Sequence, residues 1–372
     1  KLSVSINDNK LFGAAQEFLL NLNSETNYID DLNLYENSRI AVKQGMKLSE
    51  LYPPHVFFYL IKIKKLMSHD PILKGVVSSV LHLLKYTDKG SQSQFPYWFP
   101  KKGAIERNPI LLIEKKYTEI IKSLKFENLE IEAIKKSYNL FKDDIRKLRD
   151  YPIQNIDLVI TDPPYFDQVA YSEYLLPWQF FMGTSVDLDN EIVQSNRKDG
   201  NQTRAKYLEG MLQGFQAITS KCAVDAKLFM YYKDSKLSNI AVLLDLLSDL
   251  GWNFQTQIHV NKGNFTYKQN ATKRGTVPGD CLLIFTLGGE KLVPSPKFIT
   301  IDARDEAIIK LVEETLGKQK SVTISYLYDE VLVPNLYRWG HLSDFQSPRE
   351  ILKVIERNFD FDETGRSIEQ NG

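Results

Sequence analysis

Residues 156–165 read Ile-Asp-Leu-Val-Ile-Thr-Asp-Pro-Pro-Tyr, and this stretch decides the fold. Residues 156–160 form a nearly continuous apolar run, which is typical of a central parallel strand covered on both faces. Pro163 and Pro164 then fix φ and lack N–H donors, so the strand ends and backbone carbonyls are left as acceptors. Ligands of open α/β sheets bind at the carboxyl ends of strands, and we therefore expect a site at residues 162–165.

Strand and helix periodicities alternate along the rest of the chain, as in an α/β fold. Over residues 48–86 the pattern predicts two amphipathic helices, interrupted at Pro53-Pro54 and near Asp70-Pro71. A helix predicted over 240–250 ends at Gly251, a typical C-cap residue. The other predicted helices cover 11–19, 109–124 and 207–222, and the other predicted strands cover 2–7, 130–137, 226–232 and 281–286.

Changes in this pattern divide the chain into three predicted regions. An α/β domain comprises 1–24 and 105–290, a mostly helical insertion comprises 25–104, and a small α+β region comprises 291–372. The predicted fold class is therefore α/β, with a helical insertion and a small C-terminal appended region.

The composition narrows the classes of function. With 372 residues and 43% hydrophobic content, the chain can bury a sizeable core. Its 47 Lys and Arg balance 47 Asp and Glu, so nucleic-acid binding would need local clusters of charge. Cys222 and Cys281 lie too far apart for metal-site spacing, and the five histidines do not cluster around them. We therefore expect no metal site, no disulfide framework and a cytoplasmic location. We also expect no membrane-spanning segment, because no apolar run reaches about 20 residues.

The four residues after the apolar run combine two kinds of recognition. Asp162 adds a charged acceptor to the proline carbonyls, and Tyr165 adds an aromatic face. An acceptor-rich pocket beside a stacking plane suits the exocyclic NH2 group of a planar base. The alternative interpretation of the same residues is a plain turn followed by a helix cap.

An Asp-Pro-Pro-Tyr motif after a hydrophobic strand resembles the signature of DNA methyltransferases that act on adenine N6 or cytosine N4. The resemblance covers most of residues 1–290 and is strongest to one large branch of bacterial adenine-specific methylases. It implies a Rossmann-like methyltransferase sheet, S-adenosylmethionine as the methyl donor and double-stranded DNA as the substrate. Besides the motif, it rests on residues 97–103, 105–108, 143–146, 166–167, 171–173, 227–234 and 274–276.

The resemblance also implies roles for the motif residues, with Asp162, Pro163, Pro164 and Tyr165 as the catalytic set. The Asp162 carboxylate and the Pro163 carbonyl would accept hydrogen bonds from the exocyclic amine and pull its nitrogen towards tetrahedral geometry. Tyr165, helped by Phe166, would stack on a base flipped out of the duplex. Catalysis would then consist mostly of positioning and electrostatic preorganisation.

For the cofactor, the resemblance implies contacts from Asp144, Asp162, Ser5 and Asn7. Ser5 matches the position where the second strand of the family usually carries an acidic residue for the ribose. The glycine-rich turn that these enzymes place after their first strand is missing, since Phe12-Gly13 lacks the second glycine. We hypothesise that this turn comes from another polypeptide or from an upstream segment, so that a split enzyme assembles its cofactor site at the interface.

Two polar loops, 196–206 and 262–274, carry basic side chains among polar or aromatic residues. Such loops can contact DNA phosphates, although ordinary surface loops have the same composition. The candidates for DNA contact are Arg197, Lys198, Arg204, Lys206, Lys262, Lys268, Lys273 and Arg274.

Several alternatives stay open at this point. Asp as the first motif residue favours adenine N6, but cytosine N4, where Ser is more usual in the family, is not excluded. Methylation of RNA or of a protein amide is a further possibility, although the amide enzymes use Asn-Pro-Pro-Tyr. A non-catalytic DNA-binding subunit of a heterodimer fits the missing glycine turn, but it would not need the acceptor pocket. The leading prediction is an adenine-N6 DNA methyltransferase subunit of a bacterial modification or restriction-modification system, completed by a partner chain.

Overall fold

A computed structural model of the chain divides it into two compact units, Lys1–Phe141 with Val169–Gln202, and Lys142–Gln168 with Thr203–Gly372. Of residues 65, 124–131 and 369 only the backbone is described. The predicted strand over 2–7 and the predicted helix over 11–19 lie outside the described residues. The structure describes residues 32–36, 42–67, 69–88, 104–131, 139–166, 171–185, 187–195, 203–234, 236–261, 277, 279–289, 293–319, 321–362 and 367–369.

The first two helices of the first unit each begin at a proline. After a 3₁₀ turn at Leu48–Leu51, helix α1 runs over Pro54–Met67 and α2 over Pro71–Leu84. The side chain of Asp70 caps α2 by accepting a 2.9 Å hydrogen bond from the N–H of Leu73. The two predicted helices and both predicted interruptions are therefore confirmed.

Helix α3 covers Pro109–Ile131 and is longer than predicted. It includes residues 130 and 131, so the predicted strand over 130–137 is wrong at its start, and its remainder lies outside the described residues. The long run of Lys, Glu and Leu extends the helix because these residues have high helix propensity. The same unit contains the short strands β1, Thr87–Asp88, and β2, Ala104–Ile105, which pair antiparallel.

Two further short helices complete the first unit, α4 at Tyr171–Tyr174 and α5 at Leu176–Met182. Phe181 on α5 lies edge-on to Tyr52, with ring centroids 5.8 Å apart. Trp178 donates its indole N–H to the carbonyl of Ser78 at 3.0 Å. These contacts bury α5 against α1 and α2 around one apolar core.

The second unit is built on a four-stranded sheet with strand order β3-β4-β6-β5. Strands β3 and β4 are parallel, whereas β6 runs antiparallel to both of its neighbours. The described sheet is therefore mixed, and the fold is of the α/β class. The strands are β3 Ile156–Thr161, β4 Cys222–Tyr231, β5 Trp252–Val260 and β6 Asp280–Leu287.

Helices connect these strands. Helix α6 covers Arg204–Thr219 and leads into β4, and α7 covers Leu237–Asp249 between β4 and β5. Gly251 follows α7 with φ +88°, a left-handed conformation that glycine adopts without strain. The predicted helices and the two predicted strands over 226–232 and 281–286 are confirmed, with ends that differ by a few residues.

Strand β3 differs from its prediction. Within the described residues it is the edge of the sheet, and Leu158 and Ile160 are 48% and 66% exposed. The prediction of a central strand covered on both faces is therefore wrong for the described part of the chain. A run of apolar residues indicates that a strand must be buried, but it does not show which segment of the protein packs against it.

The chain from residue 301 belongs to the same unit as the sheet. Tyr337 packs edge-on against Phe254 of β5, at 5.7 Å between ring centroids, and its hydroxyl donates to Asp245 at 3.2 Å. The elements are α8 Ile301–Lys318, β7 Ser321–Thr323, α9 Ile324–Tyr326, a π-helical turn Leu327–Leu332, α10 Val333–Arg338, a 3₁₀ turn Leu342–Asp344, α11 Pro348–Glu356 and β8 Ser367–Glu369, which pairs with β7.

Within the described part of the chain, no helix combines the length and the apolar composition that crossing a membrane requires.

Lys85, at the end of α2, gives a prediction about stability. The residue is 4% exposed, and burial lowers its pKa to about 7. An unfolded lysine titrates near 10.4, so the unfolded state binds more protons between about pH 7 and 10. The Lys85 contribution to the free energy of unfolding should therefore rise across that window, by up to about 1.4 kcal/mol per pH unit.

The measurement is denaturant unfolding of the wild type and of Lys85→Met between pH 6 and 10. The variant should be more stable than the wild type at pH 6, and the difference should shrink as the pH rises. Lys43→Met, at an exposed lysine, is the control and should follow the wild type. A difference that does not change with pH would contradict the prediction.

Candidate active site

The candidate site is formed where two parallel strands end. Asp162 to Tyr165 follow β3, and Tyr232 to Asp234 follow β4. Because β3 and β4 are parallel and paired, their carboxyl ends meet at one edge of the sheet, where ligands of α/β proteins bind. The four predicted catalytic residues therefore stand together at this edge.

The backbone of the motif is held by a donor from helix α6. Tyr207 donates its hydroxyl to the carbonyl of Pro164 at 2.7 Å, and the Tyr207 side chain is itself buried. Pro163 is buried, whereas Asp162 is exposed at the end of the strand. The motif thus has a fixed backbone and a carboxylate that faces solvent.

Aromatic rings form a layer under and beside the motif. Tyr165 lies edge-on to Tyr232, with ring centroids 5.1 Å apart and ring planes inclined at 66°. Phe166 is 1% exposed and packs against Tyr207 at 4.4 Å between centroids. The guanidinium of Arg204 lies 4.4 Å from the centroid of the same Phe166 ring. The structure therefore places Phe166 in the interior and leaves Tyr165, which is half-buried, as the aromatic ring nearer the surface.

A polar network links this layer to the end of β4. Arg204 donates to the side-chain oxygen of Asn239 at 2.7 Å, and Asn239 donates to Asp234 at 3.0 Å. Asp234 also accepts the backbone N–H of Lys236 at 2.8 Å, just before α7. Asn239 and Asp234 are both buried whereas Arg204 is exposed, so the network runs from the surface into the interior. Sequence reasoning missed Asn239, because no local pattern marks a polar residue on the buried side of a helix as a partner.

Asp144, predicted to contact the cofactor, makes two local interactions. It caps the 3₁₀ turn at Ile145–Asp150, and both of its carboxylate oxygens accept the Nε–H of Arg146 at 2.9 Å. This pairing with Arg146 holds the pKa of Asp144 below its usual value. The carboxylate is accordingly engaged by its own neighbour.

Some of the remaining predicted site residues belong to the described part of the chain, and the others do not. Lys206 is exposed in the first turn of α6, where Arg204 also lies. The cofactor candidates Ser5 and Asn7 and the DNA candidates Arg197, Lys198, Lys262, Lys268, Lys273 and Arg274 lie outside the described residues.

The sequence of residues 156–352 matches a family model described as DNA methylase, of the N6/N4 type. The match begins at β3, includes the Asp162–Tyr165 motif and ends within α11, and it covers more than half of the 372 residues. The chain belongs to this DNA methylase family. No curated protein matches the chain.

Three solved structures of one protein from Thermus thermophilus, described as a DNA modification methylase, also resemble the chain. They are a first form, its selenomethionine derivative and a complex with S-adenosyl-L-methionine, with sequence identities of 13%, 12% and 13% and TM-scores of 0.25, 0.24 and 0.25. The alignments cover 47%, 47% and 49% of this chain and 64%, 65% and 63% of those structures. The chain thus spans less than two thirds of the length of the structures it matches.

The contacts that Arg204 makes with Phe166 and Asn239 lead to a prediction about stability. Arg204→Met should lower the free energy of unfolding by about 1–2 kcal/mol, because it removes the cation–π contact with Phe166 and the hydrogen bond to Asn239. Lys206→Met, two residues away and exposed, is the matched control and should change stability by less than about 0.5 kcal/mol. Urea unfolding measures both. Unchanged stability of the Arg204 variant together with a weaker salt dependence of DNA binding would instead identify Arg204 as a phosphate contact.

Proposed function

We propose that this chain is the catalytic subunit of a DNA methyltransferase that transfers the methyl group of S-adenosylmethionine to the N6 amine of an adenine flipped out of double-stranded DNA. The observation that carries the proposal is the Asp162–Tyr165 motif at the carboxyl end of a parallel strand, with an exposed carboxylate on a fixed backbone. Membership of the N6/N4 DNA methylase family supports the reaction class. Asp as the first motif residue favours adenine, and cytosine N4 is the alternative.

The motif residues act on the amine by positioning it. The exocyclic nitrogen is a poor nucleophile because its lone pair is delocalised into the ring. Hydrogen bonds from its two N–H groups to the Asp162 carboxylate and the Pro163 carbonyl favour tetrahedral nitrogen and direct the lone pair away from the ring. Tyr207 keeps the backbone of the motif in place while this happens, since it holds the next carbonyl. Prearranged acceptors of this kind need no reorganisation during the reaction.

Tyr165 supplies the stacking surface for the flipped base. Its ring is half-buried and is supported from the side by Tyr232, whereas the Phe166 ring is enclosed by Tyr207 and Arg204. A base that leaves the duplex loses its stacking neighbours, and an aromatic ring at the site compensates for part of this cost. The proposal therefore assigns stacking to Tyr165 and a supporting role to Phe166.

S-adenosylmethionine would supply an electrophilic methyl group on sulfonium sulfur. Among the described residues, the exposed carboxylate of Asp162 at the end of β3 fits such a cationic group. Asp144 fits less well as a cofactor ligand, because Arg146 already occupies its oxygens. The rest of the cofactor site is proposed to include Ser5, Asn7 and a glycine-rich turn from a partner chain.

Among the described residues, β3 has no neighbouring strand opposite β4, and this supports the proposal of a partner. Leu158 and Ile160 are exposed on this strand, and Ile145, an exposed apolar residue of the same unit, precedes it. Parallel strands are normally paired along both edges and covered by helices on both faces, so an edge without a neighbour and a face with exposed apolar side chains both offer a surface to a partner. A polypeptide that adds a parallel strand here would bring its own strand end to the edge that carries Asp162. The assembly would belong to a bacterial DNA modification or restriction-modification system in the cytoplasm.

Replacement of Asp162 tests the catalytic assignment. Asp162→Ala should lower the rate of methyl transfer by at least about 100-fold, because it removes a charged acceptor of the amine. Transfer of labelled methyl to unmethylated DNA, with the chain purified together with its native partner, gives the rate, and analysis of the nucleosides distinguishes N6-methyladenine from N4-methylcytosine. Asp360→Ala, at an exposed aspartate after α11, is the matched control and should keep full activity. Full activity of the Asp162 variant would instead favour a non-catalytic DNA-binding subunit.

Replacement of Leu158 tests the partner surface. Leu158→Lys should abolish co-purification of the partner and weaken S-adenosylmethionine binding by at least about tenfold, because a charge would then lie in the proposed junction. Val224→Lys is the control, since Val224 is an 88% exposed apolar residue on β4. Both variants should keep the wild-type melting temperature, because both side chains are exposed. S-adenosylmethionine binding of ordinary affinity by the isolated chain would overturn the partner proposal.

A further inference from the structure

Two buried tyrosines from different elements meet beside the Asp162–Tyr165 motif. Tyr207 lies near the start of α6, and Tyr232 follows the last residue of β4. Each of the two residues is 1% exposed, so solvent does not satisfy their hydroxyls. Buried hydroxyls are hydrogen-bonded inside the protein, and the partners of these two decide what the pair does.

The hydrogen bond of the Tyr207 hydroxyl has a fixed direction. The hydroxyl oxygen lies 2.7 Å from the carbonyl oxygen of Pro164. Because a carbonyl can only accept, Tyr207 uses its single proton in this bond. The Tyr207 oxygen keeps only lone pairs, and any further hydrogen bond to it must be one that it accepts.

The Tyr232 hydroxyl meets both an acceptor and a donor, namely the Tyr207 side chain and the Phe166 backbone. Burial raises the pKa of Tyr232, Tyr207 and Asp234 raise this pKa further, and the Phe166 backbone lowers it. A group that accepts the phenol proton stabilises the neutral form, whereas a donor to the phenol oxygen stabilises the phenolate. Tyr207 is therefore the acceptor, in agreement with its own bond to Pro164, and the Phe166 N–H is the donor.

We propose that the hydroxyls of Tyr207 and Tyr232 form one hydroxyl relay that positions Tyr165. The relay begins at the N–H of Phe166, which donates to Tyr232. Tyr232 donates to Tyr207, and Tyr207 donates to the carbonyl of Pro164. In a buried setting such a chain of hydrogen bonds is stronger than in water, because each bond polarises the next. The role of the relay rests on the proposed function, whereas its hydrogen bonds do not.

The two ends of the relay lie in the peptide groups on either side of Tyr165. The Pro164 carbonyl belongs to the peptide group before Tyr165, and the Phe166 N–H belongs to the one after it. Peptide groups are planar, so only the φ and ψ angles of Tyr165 relate the two. A hydrogen bond to each group restrains both angles, and with them the direction in which the Tyr165 side chain leaves the backbone. Tyr232 also contacts the ring itself, edge-on at 5.1 Å between centroids.

The relay also restrains the Pro163 carbonyl, the proposed acceptor of the amine. Only the φ and ψ angles of Pro164 separate this carbonyl from that of Pro164, and the proline ring fixes φ. The bond from Tyr207 restrains ψ. Loss of the relay should therefore disturb the groups that hold the base and leave the binding of S-adenosylmethionine unchanged.

The first test asks whether the Tyr232 hydroxyl has partners. Tyr232→Phe keeps the ring but leaves the buried Phe166 N–H without an acceptor, so the melting temperature of the full chain should fall by about 2–4 °C. Tyr231→Phe, at the preceding and more exposed residue of β4, is the matched control and should behave as the wild type. A Tyr232→Phe variant at least as stable as the wild type would overturn the relay.

The second test is a double-mutant cycle on methyl transfer, with the chain purified together with its native partner. Tyr207→Phe and Tyr232→Phe should each lower kcat by about tenfold and leave the KM for S-adenosylmethionine unchanged. If the two hydroxyls act as one relay, the double variant should also lose only about tenfold, whereas independent sites would lose about 100-fold. Tyr231→Phe should keep the wild-type kcat.

The outcomes of the cycle separate the two parts of the proposal. Losses that multiply would overturn the relay, and an unchanged kcat in both single variants would overturn the positioning role. A raised KM for S-adenosylmethionine with an unchanged kcat would also contradict that role. Absence of methyl transfer by the wild type, in contrast, would count against the proposed function and would leave the melting-temperature test unaffected.

Discussion

The parallel pairing of β3 with β4 is the constraint on which the candidate site depends. It sets Val159 opposite Leu228 and Thr161 opposite Met230, so that both strands end at the same level. Residues 162–165 and residues 232–234, which are distant in sequence, become neighbours for this reason alone. Antiparallel pairing of the same two strands would place these segments at opposite ends of the sheet. The acceptor groups, the stacking ring and the polar network all follow from this one register.

A motif with two prolines needs support from outside itself, because each proline lacks the N–H that would tie it to the sheet. Tyr207 provides this support through the Pro164 carbonyl, and Phe166 provides it by packing between Tyr207 and Arg204. The supporting side chains come from the first two turns of α6. A short helix segment therefore carries both a backbone anchor for Pro164 and an aromatic contact for Phe166, and it leaves Asp162 exposed.

The sequence predicted those features that depend on local chemistry. The helix start at Pro71, the glycine after α7 and the motif after β3 are examples, because prolines, glycines and apolar runs constrain the backbone wherever they occur. It did not predict that Arg146 occupies the Asp144 carboxylate or that Phe166 is interior. Both depend on which side chains meet in space. The edge position that β3 has among the described strands was not predicted either, because an apolar run indicates that a strand must be buried but not which segment packs against it.

The distribution of these features divides the proposed chemistry between the two sides of β3. On the β4 side, side chains of the second unit support the motif: Tyr207 holds the Pro164 carbonyl and Tyr232 packs beside the Tyr165 ring. On the other side, β3 presents exposed leucine and isoleucine side chains. A strand that, like β3 within the described residues, is paired on one edge alone needs enough contacts from its paired side. Strand β4 supplies them by parallel pairing with β3, and β6 in turn ties β4 to β5, the last strand of the described sheet on that side. The groups proposed to bind the base thus lie on the paired side of β3, and the partner strand proposed for its other edge would add the cofactor contacts without breaking the pairing with β4.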